Sequence, residues 1–386
     1  MQLNSIYLDN SATTKPTPQV VETVMNAMQE EWYNPSALYK PSMDAQKHVE
    51  KVRHSVLSAV HAEGERLIFT SSGTEADNLA VLGHLHTRRQ KGKVLAFAGE
   101  HPAVRMCMAE AQRIGLVTEE IASGKDGCAD LEKLEKQLSA DVQMIIIMQV
   151  NNETGAIQPI SEIVAMRNRI CPNAAIHVDG VQGFLRVPMD FHKLGIQSYA
   201  LSGHKIHALK GTGALIAQKN HKLSPLVFGG GQENGYRSGT ENTPGILALG
   251  TAVETYPSEG SRVMMELKRQ LWEGIRHGIP EARLNGPTLD SAYCAPHILN
   301  VSLVPVRSQT MLFALEGDGI FVSAGSACSS HKQKVSQVLT ALGLNTQEAD
   351  CALRFSLNPF ITPDEINVVI SRVCEHYATL KQYVRR

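Results

Sequence analysis

The chain alternates short apolar runs with longer stretches in which apolar residues recur every three to four positions. Arg66–Thr70, Lys93–Ala98, Gln143–Val150, Ala174–Val178 and Ile196–Leu201 are the runs, and each has strand length. Val20–Glu30 and Asp44–Val60 carry helical spacing, the second with Val49, Val52, Val56, Leu57 and Val60 on one side. Leu79–Arg88 and Gly245–Glu254 read as further helices. Strands alternating with helices predict an α/β fold with a mostly parallel, doubly wound sheet. The turn Pro257–Gly260 breaks this pattern, and a fresh helix over Arg262–Gly274 leads to shorter elements at Ile298–Val304, Met311–Gly317 and Leu353–Ser356. The expected division is a large domain over 15–257 and a smaller α+β domain over 1–14 and 258–386.

Sheets of this kind bind ligands outside the carboxyl ends of their strands. Five successive strand ends carry Thr74, His101, Asn152, Asp179 with Gln182, and His204 with Lys205. Their chemistry suits one ligand. Lys205, just past a buried strand, is placed to bond covalently to a carbonyl. Asp179 offers a carboxylate to keep a pyridine nitrogen protonated, Gln182 can reach a ring hydroxyl, and the flat imidazole of His101 can lie over a ring. Ser71–Asn78 places Gly73 and Thr74 at a helix start, which is either an anion site or an ordinary N-cap. With Ser202 and His204, that start would take a phosphate. The ligand that uses all of these groups is pyridoxal 5'-phosphate, PLP. The glycine-rich stretch Gly229–Asn242 is either a surface loop or, through Arg237 and Thr240, a further phosphate contact.

Composition narrows the class. In 386 residues, lysine plus arginine number 37 and aspartate plus glutamate 38, so no strong global field favours nucleic acid or a membrane surface. No stretch approaches the ~20 apolar residues of a membrane span, and Met1–Ser5 lacks a signal-peptide pattern, so a cytoplasmic protein is expected. The seven cysteines (107, 128, 171, 294, 328, 351 and 374) are scattered and never form a Cys-x-x-Cys pair, which argues for reduced thiols and against a metal knuckle. Cys328 stands apart in the small-residue loop Ala324–Lys332, where little bulk hides the sulfur and His331 and Lys332 favour thiolate. Arg354, in a strand-like run, suits either a bidentate grip on a substrate carboxylate or a structural ion pair.

Together these stretches resemble the cysteine desulfurases of the NifS/IscS type. The matching segments are YLDNSATT (7–14), SSGTEADN (71–78), EHPAV (100–104), VNNETGAIQPI (150–160), HVDGVQ (177–182), SGHKIHALKGTGAL (202–215), GGGQENGYRSGTEN (229–242), SAGSACSS (323–330) and LRFSLN (353–358). The resemblance implies PLP-dependent fold type I, the aspartate aminotransferase-like fold, in a homodimer. It implies that Lys205 holds PLP covalently, that His101 stacks on the ring and assists proton transfer, and that Asp179 and Gln182 meet the ring nitrogen and hydroxyl. Gly73, Thr74, Ser202 and His204 would hold the phosphate, and Thr240 would reach the phosphate of the neighbouring subunit's cofactor. Asn152 and Arg354 would bind the carboxylate of L-cysteine. Cys328 would take its sulfur as a persulfide, leaving L-alanine, and pass it to a protein acceptor, either an iron–sulfur scaffold or a tRNA-thiolation enzyme. The span from Cys328 to Arg354 resembles the branch with the longer cysteine loop. The residues after Cys328 (Ser329 to Lys334) are more basic than the common pattern, as in relatives that serve tRNA thiolation, although a solvated loop would read the same way. The competing readings are a selenocysteine lyase or aminotransferase of the same fold, and a non-catalytic interaction protein that keeps the fold.

Overall fold

The computed structural model describes residues 5–88, 92–324 and 336–383. Its main sheet has seven strands. In spatial order they are β2 (Arg66–Thr70), β8 (Gly213–Ala217), β7 (Ser198–Ser202), β6 (Ala175–Asp179), β5 (Val142–Met148), β3 (Lys93–Phe97) and β4 (Val117–Ile121). The strands read as near-continuous apolar runs because both faces are covered. Ile145 and Ile147 of β5 join Leu95 and Phe97 of β3 and Ile216 of β8 in one core with Val52 and Val56 of the helix Lys40–Ser58. Met144 and Ile146 point the other way, against Val81, Val104 and Cys107. This is the period-two alternation of a strand with apolar partners on both sides.

The sheet is mostly parallel, as the sequence predicts, and the exception is one strand. β8 is antiparallel to both β2 and β7. The connection from β7 to β8 is the short, glycine-bearing stretch 203–212, too short for a crossover helix, so the chain turns back as a hairpin. β2, β3, β5, β6 and β7 still end at a common edge, since β2 regains the direction of β7 through β8.

The helix expected from Leu79 begins a turn and a half earlier, at Gly73. Ser72 caps it, its hydroxyl accepting the N–H of Glu75 at 3.2 Å. Gly73 and Thr74, read from the sequence as a helix start, are therefore in the first turn of the helix Gly73–Leu85, at the edge where the strands end.

A second sheet of four strands runs β12 (Ser323–Ala324), β13 (Ala352–Ser356), β10 (Ile298–Ser302) and β9 (Arg283–Leu284), all antiparallel. The helices Gly260–Gly278 and Pro363–Leu380 pack with it around a separate core. Ile6 and Leu8 join that core, and β1 (Ile6–Tyr7) pairs with β11 (Ile320–Phe321). Among the described residues no helix is long and apolar enough to cross a membrane.

At the far end of the helix Gly73–Leu85, the ring of His84 stacks on that of His221, 4.9 Å apart and 8° from parallel. Burial first, then His221 and Arg88, hold His84 down to about 3. Burial, then His177 and the arginines 88 and 66, hold His221 down to about 4. Both rings are neutral in the fold, while the unfolded chain protonates them below about pH 6.5. Their stabilisation is therefore complete above that pH and declines as pH falls towards the folded values. From pH 7 to pH 5, wild type should lose on the order of 2 kcal/mol per histidine more than a His84→Gln/His221→Gln variant. Urea unfolding at the two pH values tests this, and parallel losses in both proteins would refute it.

Candidate active site

The common strand edge opens into a cleft of about 940 Å³. Nearly all the predicted residues meet there: Gly73, Thr74, His101, Asn152, Asp179, Gln182, Ser202, His204, Lys205 and Arg354 all line it.

Lys205 closes the short 3-10 turn Gly203–Lys205 that follows β7. The turn is tight because residue 203 has no side chain; a Cβ there would lie 2.4 Å from Thr212 Oγ1. Lys205 Nζ donates to the carbonyl oxygens of Ser11 at 2.5 Å and Ala12 at 2.8 Å. The turn Ser11–Ala12, to which the sequence reading assigned no role, thus forms one wall of the cleft.

Asp179 is the last residue of β6, buried, with Oδ1 accepting the N–H of Val181 at 2.9 Å. Burial and then the neighbouring Asp77 push its carboxyl up to about 7. Asp77 lies in the first turns of the helix Gly73–Leu85 and meets His177 Nε2 at 3.1 Å. The other nitrogen of His177 meets Ser198 Oγ at 2.8 Å, and burial holds this imidazole down to about 4. Glu100 is buried beside them, accepting the N–H of Met148 on Oε1 at 2.5 Å while Oε2 has no partner. Burial first, then Asp179, raise its carboxyl well above the usual range. Asp77, Glu100 and His177 escaped the sequence reading of the site. The one available signal was His177-Val178-Asp179, whose spacing puts the imidazole and Asp179 on the same face of a strand.

Gln182 donates through Nε2 to the carbonyl of Ser11 at 2.9 Å and accepts from the buried guanidinium of Arg186 at 3.0 Å. Arg186 also donates to the carbonyl of Lys205, so one unpredicted arginine orients two predicted residues. His101 caps the helix Pro102–Arg113, its Nδ1 accepting the N–H of Ala103 at 3.2 Å. Burial, then the cations of Lys205 and Arg105, hold His101 down to about 4. With Nδ1 accepting, hydrogen bonding assigns the proton of the neutral ring to Nε2.

Arg354 makes the ion pair of the second reading, with Asp9. Its guanidinium donates to Asp9 Oδ1 at 2.6 Å and to the carbonyl of Asn152 at 2.9 Å, and its Nε has no partner. The preceding residue, Asn151, builds the turn: its Oδ1 accepts the N–H groups of Glu153 and Thr154, each at 3.0 Å.

Of the other two predicted residues, one lies elsewhere and one cannot be placed. Thr240 is exposed and lines a separate pocket of about 200 Å³ with Arg237 and Glu241. Cys328 lies outside the described residues. On either side of it, Ser323 and Ala324 pair with Arg354 and Leu353 in β12 and β13, and Ser336 lines the cleft.

The donor set fits PLP. Ser202 Oγ is buried without a partner, beside a helix start that concentrates backbone N–H groups. A Cβ on Gly73 would lie 2.5 Å from Val181 Cγ2 and 3.4 Å from Ser202 Cβ, so only glycine lets the helix start approach these residues. His204 stands beside it, with Nδ1 3.1 Å from Thr13 Oγ1. The buried carboxyl of Asp179 is placed to meet a pyridinium nitrogen.

Comparison with known proteins agrees with this geometry. The aminotransferase class-V family matches residues 6–369. A protein described as cysteine desulfurase IscS from Methanosarcina thermophila is 37% identical over 378 residues, covering 96% of this chain and 91% of that one. A solved NifS-like protein superposes with a TM-score of 0.90 at 30% identity, covering 97% of this chain and all of the other. The structure of SspA in complex with cysteine superposes with a TM-score of 0.81 at 29% identity, covering 93% of this chain and 100% of that one. The chain therefore belongs to the aminotransferase class-V family, as a homologue of the cysteine desulfurases.

Proposed function

We propose that this protein is a PLP-dependent cysteine desulfurase that converts L-cysteine to L-alanine and receives the sulfur on Cys328. The observation that carries the reading is a convergence. Lys205, Asp179, His101 and Arg354 face one cleft, and both flanks of the segment bearing Cys328 attach to its wall. The chain from Ala324 to Cys328 spans at most about 14 Å when extended, so the thiol stays within reach.

Gly73, Thr74, Ser202 and His204 hold the cofactor phosphate, Asp179 and Gln182 hold the ring, and Lys205 anchors it. Bound PLP supplies an electron sink for the charge that develops as the carbon–sulfur bond breaks. Arg354 Nε and Asn152 receive the substrate carboxylate, and the Nε2 proton of His101 is available to the reacting groups. The Cys328 thiolate attacks the sulfur of bound cysteine. The bond to Cβ breaks, the substrate carbon gains a proton, and one sulfur is left on the enzyme as a persulfide.

A homodimer accounts for two further observations. Thr240 lies outside its own cleft, and Met28, Trp32 and Leu38 are exposed, Leu38 at 93%. Large exposed apolar side chains close in sequence mark an interaction surface. The persulfide sulfur then passes to a protein acceptor in the cytoplasm, an iron–sulfur scaffold or a tRNA-thiolation enzyme.

Intact-mass analysis before and after incubation with cysteine tests the reading. Wild type should gain at least one sulfur atom that a reductant removes. No gain with PLP bound would favour a selenocysteine lyase or aminotransferase and make Cys328 a bystander.

A further inference from the structure

The side chain of Glu153 takes no part in the roles assigned above. It follows Asn152 in the turn after β5 and is tied on three sides. Its N–H donates to Asn151 Oδ1 at 3.0 Å, its carbonyl accepts from Asn300 Nδ2 at 3.0 Å, and its Oε2 accepts from the hydroxyl of Ser336 at 2.5 Å. That same hydroxyl accepts the N–H of Leu339 at 3.2 Å and so caps the helix Gln337–Ala341. A hydroxyl has one proton, and here it is committed to Glu153 while a lone pair is committed to the helix. Ser336 is where the chain rejoins the cleft after the segment bearing Cys328, and both Glu153 and Ser336 line the cleft beside Arg354.

We propose that Glu153 is a positioning residue that, through Ser336, fixes where the Cys328-bearing segment rejoins the fold and so sets the delivery of the thiol to bound cysteine. This rests on the reading of Cys328 as the sulfur-accepting nucleophile. The clasp joins two parts of one reaction, since the turn that holds Glu153 also presents Asn152 to the substrate. Burial raises the Glu153 carboxyl, with Arg354 and Arg105 facing it and lowering it in part. The joint needs an acceptor oxygen, not a charge, and an amide oxygen can take its place. Displacing a reacting group by about 1 Å can cost up to 10²-fold in rate, so loss of one anchoring hydrogen bond should be visible.

The test uses the holoenzyme with Glu153→Ala, Ser336→Ala, the double variant and Glu153→Gln. Persulfide formation on Cys328 should slow about tenfold in each alanine variant, with no further loss in the double variant, because both remove one interaction. The cysteine-induced absorbance change of the bound cofactor should keep its wild-type concentration dependence, because Arg354 and Asn152 are untouched. Glu153→Gln should restore the rate to within about threefold, which keeps the test decisive if an alanine variant folds poorly. Wild-type rates in the single variants, losses that multiply in the double, or a cysteine dependence that shifts in step with the rate would each overturn the proposal. Cys328→Ala is measured alongside: sulfide release at the wild-type rate would overturn the nucleophile assignment itself, whatever the Glu153 variants do.

Discussion

Replacing Lys205 by alanine should abolish the visible absorbance of the lysine-linked cofactor and reduce cysteine-dependent sulfide release at least about a thousandfold. The argument is local. Among the described residues lining the cleft, Lys205 is the lysine, and its Nζ reaches the carbonyls of Ser11 and Ala12 on the cleft wall. Arginine cannot substitute, because a guanidinium stays charged and does not bond to a carbonyl carbon at neutral pH. The fold should survive, since the main-chain carbonyl of residue 205, which accepts from Arg186, is unchanged by the substitution, while the side-chain bonds to the carbonyls of Ser11 and Ala12 are lost. The measurement pairs an absorbance spectrum of the purified variant with a sulfide assay. Full turnover in the variant would remove the central claim.

Cys328→Ala should show the opposite split, keeping colour and cysteine binding while sulfide release falls by about a thousandfold or more. The other thiols cannot stand in. Burial pushes Cys107 and Cys128 up to about 12 and Cys351 up to about 11, so none offers a thiolate at neutral pH. Cys171 and Cys374 are raised as well, burial again being the first cause. Cys294 is buried, with its sulfur 2.9 Å from Lys268 Nζ. A spectrum recorded on adding cysteine, together with a sulfide assay, separates binding from sulfur transfer. Wild-type sulfide release would show that the nucleophile lies elsewhere.

Much of the cleft was legible from residue order because strand ends in this architecture share an edge. Once Lys93–Ala98, Gln143–Val150 and Ala174–Val178 read as buried parallel strands, His101, Asn152 and Asp179 had to lie near one another. The helix start at Gly73 and Thr74 was legible from Ser71–Asn78, and only the apolar body read from Leu79 was drawn too short at that end, since Gly73 and Thr74 have low helix propensity and the Ser72 cap offsets it. The supporting groups were not legible. Arg186 lies in no motif of its own, and nothing in its neighbourhood along the chain says that it reaches both Gln182 and the carbonyl of residue 205. Glu153 reads as a loop carboxylate until Ser336, far away in sequence, is seen to donate to it.

The sequence by itself determined the layered α/β fold, the edge on which the cleft lies and most of the side chains that line it. Period-two and apolar patterning, tight glycine turns and the residue that follows each strand are local properties, and they survive without knowledge of contacts. Only the tertiary structure decided the protonation and orientation of those groups. The high carboxyl of Asp179 depends on burial and on Asp77, the Nε2–H tautomer of His101 on a capping bond, and the aim of Arg354 on Asp9 across the second sheet. Desolvation and long-range pairing depend on which segments surround a group in space, and that is fixed by packing of the whole chain.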